Sequence, residues 1–169
     1  MTEDEERRKF YAAIGEGITE WTHIEDMLYL ICQNLLSPGD HRLVAAMFYA
    51  IDSFRGKLAM TSAVIRRGLA GNTNALDAWK KLAKALNRKY DRRNVLAHHQ
   101  AYFDPNQAEG RRYRLVSPIL DPDSERVGLE PVGVHLSELI YSIKIFKVLC
   151  RRVRDFAKAY APMRAEGQP

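Results

Sequence analysis

Arg93, Asn94 and His98 interrupt an apolar helical pattern, and their side chains are of the types used in proton transfer and oxyanion binding. An imidazole titrates near neutral pH and can give or take a proton. A guanidinium can grip two oxygens of an anion in one fork, and a carboxamide can orient either group by hydrogen bonds. Arg92 and His99 flank the three. The residues before them, Leu76, Trp79, Ala83, Leu86 and Tyr90, recur in alternating steps of three and four and so form one face of a 3.6-residue helix. Continued, that stripe lands on Arg93 or Asn94 and then on Ala97 or His98. Polar groups on an inward face must be paired, line a cleft or meet another subunit.

A second stripe carries a similar break. Near the N-terminus it reads Ile14, Ile18, Trp21, Glu25, Leu28, Cys32 and Leu35, with Glu25 its only charged member. A carboxylate on one buried face and an arginine on another suggest a matched pair, Glu25 with Arg93. Within an ideal helix Asn94 and His98 share a face, whereas Arg93 and His98 lie roughly 140° apart. Those two converge only if the helix is irregular or a partner chain completes the site. Arg92 and His99 share a face more simply, which leaves His99 as an alternative imidazole.

The elements that must position these groups follow from breaks in the pattern. The first helix is expected from about residue 5 to residue 36, ending at Ser37-Pro38-Gly39, with Asp40 placed to cap the next. Gly15 and Gly17 imply a kink or a close helix contact. Val44, Met47, Phe48 and Ile51 mark a second element; Asp52-Ser53 precede a third, bearing Phe54, Leu58, Ile65 and Leu69. Gly71-Asn72-Thr73-Asn74 separates it from the helix that ends in the polar stretch. From residue 101 to residue 134, seven prolines and glycines (Pro105, Gly110, Pro118, Pro122, Gly128, Pro131, Gly133) forbid a long helix. Short strands are expected there at 101–103, 113–116 and 127–130. The last helix starts at 135–137 and carries Leu139, Ile143, Phe146, Cys150, Val153, Phe156 and Tyr160 on one stripe. The expected class is all-α, a bundle of about five helices with a small β insert, forming one domain over residues 1–169.

Arg93-Asn94, then three residues, then His98 resembles the R-N-x-x-x-H signature of HEPN domains, the helical-bundle proteins of bacterial toxin–antitoxin and defence systems. The long first helix with Trp21 and Glu25, the motif on a later helix and a closing C-terminal helix extend the resemblance over most of the chain. It implies a homodimer acting as a metal-independent endoribonuclease, with no cofactor and no metal, and with RNA and a nucleotidyltransferase-like antitoxin as partners. By the same resemblance Arg93 takes the phosphate, His98 moves protons and Asn94 positions them; the stripe and helix geometry above place Glu25, His99 and Arg92 in support. The alternative is a buried Arg–Glu–Asn network that fixes helix packing in a non-catalytic module binding a nucleotide, nucleic acid or protein. An adjacent antitoxin gene would favour the enzyme.

Composition narrows the remaining classes. At 169 residues, 46% hydrophobic and 28% charged, the chain has the make-up of a globular domain with a real core. No apolar run approaches the roughly 20 residues that cross a bilayer, and residues 1–9 are charged rather than apolar, which makes the cytoplasm the expected compartment and no membrane a partner. Cys32 and Cys150 fall on apolar stripes and read as small buried hydrophobes. A formal net charge of +5 favours an anionic partner mildly. Arginine and lysine gather at 88–93, 111–114 and 151–154, each cluster also being what a solvated helix face or loop would show. His23, His41 and His135 fall near helix surfaces or ends and receive no role.

Overall fold

A computed structural model of the chain describes residues 2–36, 40–118 and 133–161. Among these, five helices and a small sheet form: α1 (Glu3–Leu36), α2 (His41–Tyr49), α3 (Phe54–Gly68), α4 (Thr73–His98), β1 (Gln100–Phe103), β2 (Tyr113–Val116), β3 (Val134–His135) and α5 (Leu136–Tyr160). The class is the expected one, all-α with a three-stranded antiparallel sheet between the last two helices. The strand expected at 127–130 lies outside the described residues. None of the described helices is long and apolar enough to cross a membrane.

Local chemistry sets the helix ends. Thr2 and Glu5 exchange hydrogen bonds, the Thr2 amide donating to Glu5 and the Glu5 amide to the Thr2 hydroxyl, which closes the first turn of α1. Asp40 accepts from the Leu43 amide, Ser53 from Gly56 and Asn72 from Ala75, so α2, α3 and α4 each begin on a side-chain cap. Ser53 thus makes α2 and α3 two helices. Glu138 reaches back to the His135 amide at 3.0 Å and starts α5.

The chain divides into two compact units. The first comprises Met1–Trp21 and Asp91–Phe146. Its core gathers Phe10, Ala13 and Trp21 of α1, Leu96 of α4, Tyr113 and Leu115 of β2, and Leu139, Ile143 and Phe146 of α5. The Trp21 and Phe146 rings meet edge-on at 5.0 Å. β2 pairs with both neighbours: Ala101 lies opposite Leu115 and Phe103 opposite Tyr113, while Arg114 lies opposite His135. The second unit comprises Thr22–Tyr90 and Lys147–Pro169. There Ile24, Leu28 and Ile31 of α1, Val44 and Phe48 of α2, Phe54 and Ile65 of α3, Trp79 and Leu86 of α4, and Val153 and Phe156 of α5 are buried.

The two glycines of α1 differ in role. A Cβ on Gly17 would lie 2.3 Å from the Leu96 side chain and 3.5 Å from that of Ile143, whereas one on Gly15 would meet nothing within 4 Å. Gly17 therefore marks a close approach of α1 to the end of α4, at a buried leucine inside the motif. Gly17→Ala should lose about 1–3 kcal/mol to overpacking against Leu96, only partly offset by the gain of about 0.5–1 kcal/mol that alanine brings to a helix interior. Gly15→Ala should instead gain about 0.5–1 kcal/mol, because alanine loses less backbone entropy in a helix. Urea denaturation of both variants checks the sign reversal; a shift of the same sign in each would remove the close contact from the argument.

Candidate functional site

The motif occupies the last two turns of α4. The helix stays regular through His98, and the His99 amide still donates to the Val95 carbonyl at 3.1 Å. The inward stripe runs Ala75, Trp79, Leu82 and Leu86, and the buried member within the motif is Leu96. Arg93 and Asn94 are half-buried, and His98 is exposed. This corrects the expectation that the stripe would turn Ala97 or His98 inward: Leu96 takes the core position, and both Ala97 and His98 are exposed.

Among the described residues, no hydrogen bond or ion pair engages the side chain of Arg93 or of His98. The Asn94 side-chain oxygen is enclosed and accepts no hydrogen bond. A buried carbonyl oxygen without a donor is uncommon, and it calls for a water, a ligand or a partner group. His99 differs from its neighbour. It is half-buried, and its Nε2 lies 3.3 Å from the Ser117 hydroxyl just past β2, which ties the end of α4 to the sheet. Arg92 extends outward, with its guanidinium 5.8 Å from the centre of the Tyr141 ring and Nη1 donating to the Ser142 hydroxyl at 3.4 Å. Ser142 in turn donates to the Glu138 carbonyl.

Glu25 does not take the partner the pattern suggested. Its carboxylate accepts from Lys57 of α3 at 2.7 Å, and the Lys57 ammonium lies 5.5 Å and 5.6 Å from the ring centres of Phe48 and Tyr49. The reason is register. The core stripe of α1 runs Phe10, Ala13, Gly17, Trp21, Ile24, Leu28 and Ile31, so Glu25 sits on its flank, as does Ile18, which is exposed.

Among the described residues, the fully buried carboxylate is a different one, Glu6 of the first turn of α1. Glu6 is 1% exposed. Oε1 accepts from the Arg112 amide at 2.9 Å, and Oε2 takes both Nε and Nη2 of the same arginine at 2.8 Å. Burial pushes the Glu6 pKa upward, but hydrogen bonds from the Gly110 amide and from Arg112, with the charge of Arg112, outweigh it and hold the carboxyl below its ordinary range. Gly110 adopts φ +82°, a left-handed conformation that glycine takes without strain, and so turns its loop toward Glu6. Arg114 is likewise consumed within the fold, buried 3.6 Å from Asp104. The basic cluster at 111–114 therefore leaves only Arg111 exposed, whereas Arg88, Arg92, Arg151, Arg152 and Arg154 stay open.

Neither cysteine offers a nucleophile. Both are buried, and burial raises the Cys32 thiol pKa against a partly offsetting hydrogen bond to Thr61. Compared with protein-family models, curated proteins and solved structures, the chain matches none.

Proposed function

We propose that the chain is a HEPN-like, metal-independent endoribonuclease that works as a homodimer, of the kind found in toxin–antitoxin and defence systems. The observation that carries this reading is the state of the motif: a half-buried Arg93 side chain unengaged among the described residues, an exposed His98, and an enclosed Asn94 oxygen without a donor among them, all on one regular helix end. In a regular helix Arg93 and His98 diverge by about 140°, so one chain alone does not bring them onto one phosphate. A second copy related by a two-fold axis supplies the missing half, because each motif then meets its own counterpart. The purely structural alternative, an Arg–Glu–Asn network, loses its carboxylate, since Glu25 is held by Lys57.

The residues then divide the reaction. Arg93 binds the scissile phosphate and stabilises the charge that builds on it. His98 moves the proton between the 2′-hydroxyl and the leaving 5′-oxygen. Asn94 orients these groups, and Arg92 adds positive charge beside the helix end. The exposure of His98 favours it over His99, whose ring lies against Ser117.

The test is incubation of the purified chain with single-stranded RNA in EDTA. Cleavage should proceed and leave a 2′,3′-cyclic phosphate or its hydrolysed product, while DNA of the same sequence survives because it lacks the nucleophile. Intact RNA, or cleavage that EDTA abolishes, would return the protein to the class of non-catalytic binding modules. Light scattering showing a monomer at micromolar concentration would remove the dimeric site.

A further inference from the structure

Two exposed tyrosines in the unit that holds the motif carry an arginine over the ring, and their surroundings separate them. Tyr102 of β1 lies under Arg114, 5.2 Å from ring centre to guanidinium carbon. That arginine is buried and paired with Asp104, so its charge is spent inside the fold. Tyr141 of α5 is 57% exposed and lies under Arg92, which is itself exposed and has a single long hydrogen bond, to the Ser142 hydroxyl, besides the ring. Arg92 directly precedes Arg93 in the motif. The fold thus sets an open aromatic surface, and a cation that pairs with no carboxylate among the described residues, next in the chain to the residue assigned to the phosphate.

An exposed aromatic ring next to backbone-reading cations is what single-stranded nucleic acid requires. Bases stack on the ring whatever their identity, and the arginine meets the adjoining phosphate. We propose that Tyr141, positioned by Arg92, is the stacking platform for a base next to the scissile phosphate, so that single-stranded RNA is selected over duplex. The proposal rests on the ribonuclease reading above and adds a residue to it. A paired base has its faces covered by its neighbours and cannot use the ring. Arg92 fixes the ring in place before RNA arrives, which lowers the ordering cost of binding.

The test measures binding of a fluorescein-labelled 12-nucleotide 2′-O-methyl oligoadenylate, which carries no free 2′-hydroxyl to react, to the full-length protein. Tyr141→Ala should weaken binding by about 5- to 100-fold, as loss of one base stack does. Tyr141→Trp should stay within about threefold of the parent, since any large ring restores the platform. Arg92→Ala should weaken binding and lower the salt dependence by about one phosphate contact. Tyr102→Ala, which alters the same ring–cation geometry away from an open charge, should bind as the parent does. Parent binding with an unaffected Tyr141→Ala would overturn the platform and leave the ribonuclease reading in place. Failure of the parent to bind would remove both. If Tyr141→Ala turns a dimer into a monomer by light scattering, the ring belongs to the contact with a second copy and the platform is likewise overturned. Equal affinity of the parent for the oligomer and for its duplex would count against the selectivity.

Discussion

Glu6→Ala should destabilise the protein by about 3 kcal/mol, more than any surface substitution on α1, and lower its melting temperature by roughly 6–12 °C. The loss has two parts. Arg112, its side chain only 19% exposed, would lose the buried carboxylate that takes its Nε and Nη2. The amides of Gly110 and Arg112 would lose their acceptor as well. Breaking a buried pair on one side costs about 3–5 kcal/mol, and the partial exposure of Arg112 places this case at the lower end. The double variant Glu6→Ala/Arg112→Ala should cost less than the sum of the two single changes, because neither leaves a charge behind in the other's absence. The pH dependence has a definite sign. The folded-state pKa of Glu6 is depressed, so its stabilisation is complete above the ordinary carboxylate range and is lost as pH falls through the lower folded value. The stability gap between the parent and Glu6→Gln should therefore narrow on acidification. A gap that widens toward low pH, or a Glu6→Ala variant as stable as the parent in urea, would contradict the burial described above.

The contrast between Glu6 and Glu25 shows how much of the fold and site the sequence carried. The α5 stripe, Leu139, Ile143, Phe146, Cys150, Val153 and Phe156, is legible because Lys144, Lys147, Arg151, Arg152, Arg154 and Asp155 mark the other side, even though Ile140 and Val148 fall off it. The β2 segment at 113–116 is legible because turn residues bracket it. α1 is harder, since Ile14, Ile18 and Cys32 lie beside Ala13, Gly17 and Ile31 and either set makes a helical stripe. A shift of one position between those sets moves Glu25 from the core line to its flank. Extending the Trp21–Leu28 line backward by turns reaches Gly17, Phe10 and then Glu6, so the signal for the buried carboxylate was present. It was hidden within Glu3-Asp4-Glu5-Glu6, a run that resembles a solvated first turn. Its partner was out of reach for another reason: Arg112 lies 106 residues away and meets Glu6 only through the loop that Gly110 turns. At the site, the motif could be placed at a helix end from periodicity alone. Which of Leu96, Ala97 and His98 faces inward turned on one position of register: the line through Leu76 and Ala83 leads to Ala97 or His98, whereas the observed line through Ala75, Leu82 and Leu86 leads to Leu96.

His98→Ala should reduce the rate of RNA cleavage by about 10²- to 10⁴-fold, with little change in KM. An imidazole that moves protons contributes mainly in the transition state, so its loss falls on kcat. Arg93→Ala should lower kcat by about 10²- to 10³-fold and also raise KM, because the guanidinium meets the phosphate both before and during the reaction. His99→Ala should act on stability instead, through its contact with Ser117. The geometry of α4 adds a stricter expectation. Because Arg93 and His98 of one chain lie about 140° apart around the helix, the dimeric enzyme proposed above draws its working pair from two chains. Mixing inactive Arg93→Ala with inactive His98→Ala should then restore activity, since about half of the re-formed dimers are mixed and hold one intact arginine and one intact histidine in a shared cleft. No recovery on mixing, with exchange of subunits verified, would place the pair within a single chain. A fully active His98→Ala beside an inactive His99→Ala would transfer the proton-moving role to His99.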